Sequence, residues 1–179
     1  MSNVIALDIS LVKTGICLPD GTTTVSTGGN TSGTDRRLQR LYTDVQGWCS
    51  TRAVELAIIE DLPTNAQGAG YTGQAQGVGR LVLQQLNIPY VTVVASTLKK
   101  FATGSGRADK LDMWNALPEP VRREIAGAAY VAEDVPYLVK KHNDEVDAWW
   151  LWKMGNDWLG GKSVPEVVNF EPWIEKRRR

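Results

Sequence analysis

Residues 4–18 read VIALDISLVKTGICL. Four apolar residues run directly into a carboxylate at Asp8, a second apolar segment covers Thr14 to Leu18, and Pro19-Asp20-Gly21 is a turn ahead of the Thr-rich stretch Thr22 to Ser26. The pattern predicts three strands, Val4 to Asp8, Thr14 to Leu18 and Thr22 to Ser26, joined as an antiparallel meander. Beyond a polar, glycine-rich stretch, TGGNTSGT, the spacing of Leu38, Leu41, Tyr42, Val45 and Trp48 predicts a helix from about Asp35, with Thr34 or Asp35 as its cap.

Leu56-Ala57-Ile58-Ile59 is too short for a helix and suits a buried parallel strand ending at Glu60. A loop is expected from Asp61 to Thr72, then a helix from Gln74 to Leu86, a buried strand from Tyr90 to Val94, and a short helix capped by Ser96. Gly104-Ser105-Gly106 breaks that helix, and helix resumes from Ala108. A short helix is expected around Val121 to Ala129, and a last helix runs from Asn143 to Leu159, closed by Gly160-Gly161. These elements describe an α/β fold: a mixed five-stranded sheet with helices on both faces. One domain is expected over residues 1–160, followed by an irregular basic tail, 161–179.

Composition narrows the classes. The 179 residues are 42% apolar and 22% charged, enough for a sizeable core and against disorder. No apolar run approaches the roughly 20 residues of a membrane span, and MSNVIALDIS lacks a basic signal region, so a soluble, cytoplasmic protein is expected. Cys17 and Cys49, far apart and outside any CxxC, are read as core thiols rather than a disulfide or zinc site. Twenty basic and twenty acidic residues cancel, so a nucleic-acid partner needs a local basic patch. Lys99, Lys100, Arg107 and Lys110 supply one, and Lys176-Arg177-Arg178-Arg179 another. Trp149, Trp150, Trp152 and Trp158 read as helix packing before base stacking.

If the strands ending at Asp8 and Glu60 are parallel neighbours, their carboxylates lie roughly 5–8 Å apart at one sheet end. Asp144 and Asp147, three apart, share a face of the last helix near its start, where the helix dipole favours negative charge. Each residue alone has an ordinary explanation, Asp8 as a strand-end turn and Asp144 as dipole chemistry. Four convergent carboxylates are hard oxygen ligands, which select Mg²⁺ or Mn²⁺ over Zn²⁺. Two such ions suit in-line attack of water on a phosphodiester. Asp61 is expected to face away from Glu60, the alternative being a supporting role beside the site. His142, the one histidine, is expected at the surface or as a cap, the alternative being contact with metal or the scissile phosphate.

On these residues a resemblance rests. VIALDISLVKTGICL resembles the first motif of the RuvC family of Holliday-junction resolvases, LAIIEDLP its second, FATGSGRADKLDM its basic loop, and NDEVDAWWLW its C-terminal Asp-x-x-Asp-Ala helix. The resemblance covers residues 4–152 in the family's order. It implies a ribonuclease-H-like fold, a homodimer, and Mg²⁺-dependent symmetric nicking of four-way DNA junctions. It also implies Asp8, Glu60, Asp144 and Asp147 as catalytic metal ligands, two ions per site with Mn²⁺ able to substitute, and Lys99 and Lys110 at the phosphate, Lys110 in a catalytic role. Ile9-Ser10 stands where bacterial members usually have Pro-Gly, and Pro63 where they often carry a junction-wedging aromatic, suggesting a divergent member, bacteriophage-encoded or otherwise distant, in a bacterial or phage-infected cytoplasm. Tyr71 is the nearest candidate for a replacement wedge, its alternative role being ordinary packing at a helix start. The dimer interface is expected on the helix Gln74 to Leu86, through Val78, Leu81, Val82 and Leu83.

Three other readings compete. A nuclease of the same fold could prefer forks, flaps or RNA–DNA hybrids; a non-cleaving protein could bind branched DNA; an actin-type ATPase or sugar kinase would need about twice this length.

Overall fold

The structure is a computed structural model and describes residues 3–26, 33–62, 69–127, 130 and 134–164. Pro63 and the basic end of the tail lie outside the described residues.

Three strands open the chain, β1 (Val4–Asp8), β2 (Lys13–Leu18) and β3 (Gly21–Ser26), and α1 (Thr34–Ser50) follows. Next come β4 (Leu56–Glu60), α2 (Ala69–Gln85), β5 (Tyr90–Val93), α3 (Ala95–Thr103), α4 (Lys110–Asn115), α5 (Glu119–Ala126) and α6 (Val135–Leu159). The five strands form one sheet in the order β3-β2-β1-β4-β5. β1 pairs antiparallel with β2 and parallel with β4, and β4 pairs parallel with β5. The expected meander and parallel strands are therefore both present.

Alternation along the central strands explains their unbroken apolar runs. Val4 and Ala6 of β1, with Leu56 and Ile58 of β4, join a core beneath α3 to α6, whereas Ile5, Leu7, Ala57 and Ile59 join a second core beneath α1 and α2. A strand covered on both faces has no polar side to show. The same parity places Asp8 and Glu60 at strand ends on the α6 face.

α6 sits directly on the sheet. A Cβ at Gly15 would stand 2.0 Å from the Asp144 carbonyl oxygen, and one at Gly155 would stand 2.5 Å from Ile58 Cδ1. Glycine at these two positions lets helix and sheet approach that closely. The tryptophans pack as expected. Trp149 and Trp150 are buried, Trp152 and Trp158 pack against the same core, and Trp150 Nε1 donates to the Met113 carbonyl at 3.1 Å. Both cysteines are buried free thiols, and burial pushes the Cys49 thiol up to about 12. No helix among the described residues is long and apolar enough to cross a membrane.

Several expectations need correction. The first residue of α1 is Thr34 and its cap is Gly33, with no side-chain hydrogen bond; α3 likewise follows Val94 and includes Ser96. The side-chain cap that does form is at α4, where Asp109 accepts from Asp112 N and Asp112 accepts from Asp109 N, and the spacing Asp109-x-x-Asp112 is its cue in the sequence. α2 begins at Ala69 rather than Gln74, because its glycines are accommodated by packing: Gly79 lies against Ile9 and Gly73 against Leu62. Val82 and Leu83 are buried in this chain's own core and are not available to a second subunit, while Leu81 is 47% exposed. α6 begins at Val135, eight residues before Asn143, and is broken at His142, whose φ of −117° and ψ of 19° are not helical. Asn143 is where its straight second half begins. His142 is not at the surface: it is 8% exposed.

Candidate functional site

The tight β1–β2 loop fixes the first carboxylate. Ser10 Oγ donates to the Lys13 carbonyl at 2.5 Å, and the fully buried Thr14 hydroxyl donates to the Ser10 carbonyl at 3.0 Å. The serine and the Thr-Gly pair of this stretch thus have local work. The hydroxyls close the loop, and Gly15 receives α6. Across the sheet, the register Leu7 to Ile59 leaves Asp8 and Glu60 side by side as the strands end. The Glu60 backbone is held by buried Gln76, whose Nε2 donates to its carbonyl at 2.7 Å.

Carboxylate oxygens of Asp8, Glu60 and Asp147 all lie within 4.8 Å of one another, the one such metal-competent group among the described residues. Burial, then the charges of Glu60, Asp147 and Asp144, hold the Asp8 carboxyl well above its usual range, with a hydrogen bond to Glu60 adding to the effect. Burial also raises Glu60, against the opposing pull of its bond to Asp8 and of Lys99 and Lys110. Asp147 is pushed up to about 7 by burial and by Glu60 and Asp144, with Lys110 and Lys99 opposing. Burial, with three carboxylates this close, raises all of them, and Lys99 and Lys110 offset the effect only in part at Glu60 and Asp147. All the donors are hard oxygens, with no sulfur or imidazole among them, so the set fits Mg²⁺ or Mn²⁺.

The remaining expected residues fall around this centre. Asp144 is near enough to raise all three carboxyls, yet it is not in the group: its Oδ2 is 3.2 Å from Lys13 Nζ and its Oδ1 accepts from Asn143 Nδ2 at 2.5 Å. Lys99, on α3, and Lys110, the first residue of α4, stand close enough to act on Glu60 and Asp147. Lys100 on α3 and Arg107 in the following turn are exposed. Tyr71, on the first turn of α2, is 58% exposed and lines a groove with Ser10, Val12, Thr34 and Arg37. Asp61 accepts from Leu62 N at 2.9 Å and pairs with Arg80 at 3.5 Å, outside the carboxylate group.

Two residues beside the site escaped the sequence reading. Lys13 Nζ lies 3.3 Å from Glu145 Oε2, and Glu145 Oε1 lies 3.3 Å from His142 Nδ1. The available signal was that Lys13 is the lone charged residue between Asp8 and Asp20. Glu145 has no such signal within the acidic run Asp144-Glu145-Val146-Asp147.

No protein-family model matches the chain. The solved structure of Thermus thermophilus RuvC superposes with a TM-score of 0.63 at 16% identity, covering 90% of this chain and 99% of that one. The T. thermophilus RuvC in complex with a Holliday junction substrate gives 0.65 at 15% identity, covering 93% and 100%. The fold is ribonuclease-H-like. Among curated proteins, the crossover junction endodeoxyribonuclease RuvC of Gloeobacter violaceus is 35% identical over 92 residues, 51% of each chain. That of Citrifermentans bemidjiense is 28% identical over 104 residues, 54% of this chain and 63% of the relative. The chain thus matches between half and two thirds of the length of these relatives. This distant, partial homology, with the shared fold, points to the RuvC and ribonuclease-H-like nuclease superfamily.

Proposed function

We propose that the chain is a metal-dependent endonuclease that resolves four-way DNA junctions by paired symmetric nicks, acting as a homodimer with two Mg²⁺ or Mn²⁺ ions per active site. The observation that carries this reading is the convergence of Asp8, Glu60 and Asp147 at the ends of two parallel strands and a helix. The relatives are crossover junction endodeoxyribonucleases and one structural neighbour is bound to a Holliday junction, which supports branched DNA as the substrate.

Divalent ions bound here supply an activated water and offset charge on the leaving oxygen. The chain's own part is positional and electrostatic. Asp8 and Glu60 are rigid ligands because they end hydrogen-bonded strands, and Asp147 closes the set from α6. Asp144 is the fourth ligand in this reading. Lys99 and Lys110 meet the scissile phosphate, and Lys100 and Arg107 extend the basic strip along the backbone. Tyr71 stacks on a base at the crossover, offsetting part of the cost of unstacking, a few kcal/mol. Two equivalent strands require two sites, and the exposed row Gln74, Gly77, Leu81 and Gln84 of α2 is the dimer face left by the buried residues.

The test is incubation with labelled four-way junction, fork, flap, RNA–DNA hybrid and linear duplex in Mg²⁺, with sedimentation of the free protein. Symmetric paired nicks in the junction and a dimer are expected. A preference for fork, flap or hybrid replaces the junction by that substrate, and binding without cutting in either Mg²⁺ or Mn²⁺ overturns the nuclease.

A further inference from the structure

Lys13 has no place in the chemistry described so far, yet its ammonium is saturated by α6. It donates to the Lys141 carbonyl at 2.8 Å and lies 3.2 Å from Asp144 Oδ2 and 3.3 Å from Glu145 Oε2. The Lys141 carbonyl precedes the non-helical residue His142, so Lys13 is bound to the helix where its direction changes. Glu145, in turn, holds His142. The other Asp144 oxygen accepts from Asn143, so both oxygens of this carboxylate are already engaged while those of Asp8, Glu60 and Asp147 face one another. Lys13 thus places a monovalent cation on Asp144, the expected ligand that stands apart from the three, and on its neighbour Glu145.

We infer that Lys13 is a positioning residue that sets the order of cation loading: the first divalent ion takes Asp8, Glu60 and Asp147, and a second binds through Asp144 only by displacing the Lys13 ammonium. This rests on the reading that the three carboxylates hold a divalent ion. An ammonium competes with a metal for the same carboxylate charge, so the second site is weakened by whatever the ion pair is worth.

The experiment is a Mn²⁺ titration of the full chain at pH 8, following the free-ion signal by electron paramagnetic resonance, with no DNA present. Wild type is expected to take up one tight ion and a second, weaker one. Lys13→Met should tighten the second class by about tenfold and leave the first unchanged, and Lys13→Arg should keep the wild-type pattern. Circular dichroism checks the fold. Should Lys13→Met fail to fold, Lys13→Met/Glu145→Gln, which removes the buried charge left behind, takes its place with the same expectation. A second class that is absent, unchanged or weaker in the methionine variants overturns the role of Lys13. A wild type that binds Mn²⁺ no better than Asp147→Asn overturns instead the metal reading beneath it.

Discussion

Asp144 and Asp147 are one helical turn apart on α6, and the structure treats them in opposite ways. Asp147 meets Asp8 and Glu60 with no cation in the group and is pushed up to about 7 by burial and like charge. Asp144 and its neighbour Glu145 meet Lys13, which pairs with both. The first arrangement sets buried carboxylates against one another, a repulsion that a divalent ion would relieve; in the second a lysine matches the acidic side chains. Composition and spacing are the same for both carboxylates, so their partners from β1, β4 and β2 make the difference.

Several measurements would break or sharpen this contrast. The largest effect is expected from Asp8→Asn and Asp147→Asn, which should each reduce junction cleavage on the order of a thousandfold or more while preserving binding in a gel-shift assay. Turnover near wild type in either variant, at saturating Mg²⁺, would remove the three carboxylates from the chemistry.

Next comes the contact that delivers α6. Gly15→Ala puts a methyl group where the Asp144 carbonyl already stands, and a backbone neighbour cannot rotate away. A loss of about 3 kcal/mol or more is expected in urea denaturation, separating helix from sheet at the point where Lys13 also binds.

A smaller effect is the thermal shift from the ion. At about a hundred times its dissociation constant, Mg²⁺ or Mn²⁺ should stabilise the protein by roughly 2.7 kcal/mol, or about 5–10 °C in melting temperature for a chain of this size. Asp147→Asn should lose most of this shift.

The smallest effect concerns pH without metal. Since the Asp147 carboxyl is raised from 3.8 to about 7 in the folded chain, the folded state binds more protons than the unfolded one across that interval. Its stabilising contribution is complete below pH 3.8 and is lost as pH rises through about 7. Asp147→Asn should therefore flatten the fall in stability and raise the melting temperature at pH 8 in the presence of chelator, by about 2–4 °C for roughly 1 kcal/mol. Asp144→Asn strips Lys13 of a partner and should bring no such gain. Equal gains from both variants would erase the distinction between the two carboxylates.

Much of this centre can be read from local pattern. Val4 to Asp8 and Leu56 to Glu60 are unbroken apolar runs that end in a carboxylate, and runs of that length are strands buried on both faces. Their observed limits match the expected ones. The meeting of Asp8 and Glu60 is conditional on the two strands being parallel neighbours, and the sheet supplies that pairing. The α2 start is not legible because Gly73, Gly77 and Gly79 lower helix propensity, a cost that packing against Leu62 and Ile9 offsets. The α6 start is not legible because the helical pattern is interrupted at His142 and resumes at Asn143.

By itself, then, the sequence determined the strands and the acidic residues that end them, since these depend on periodicity; the order of the strands came with the sheet. Tertiary structure alone decided which carboxylates are left facing one another and which are neutralised. Lys13 reaches Lys141 and Glu145 across 128 and 132 residues, and Gly15 meets Asp144 in the same contact. An ion pair or a close backbone approach over such a separation has no period and no local propensity, so it exists only once the helix lies on the sheet.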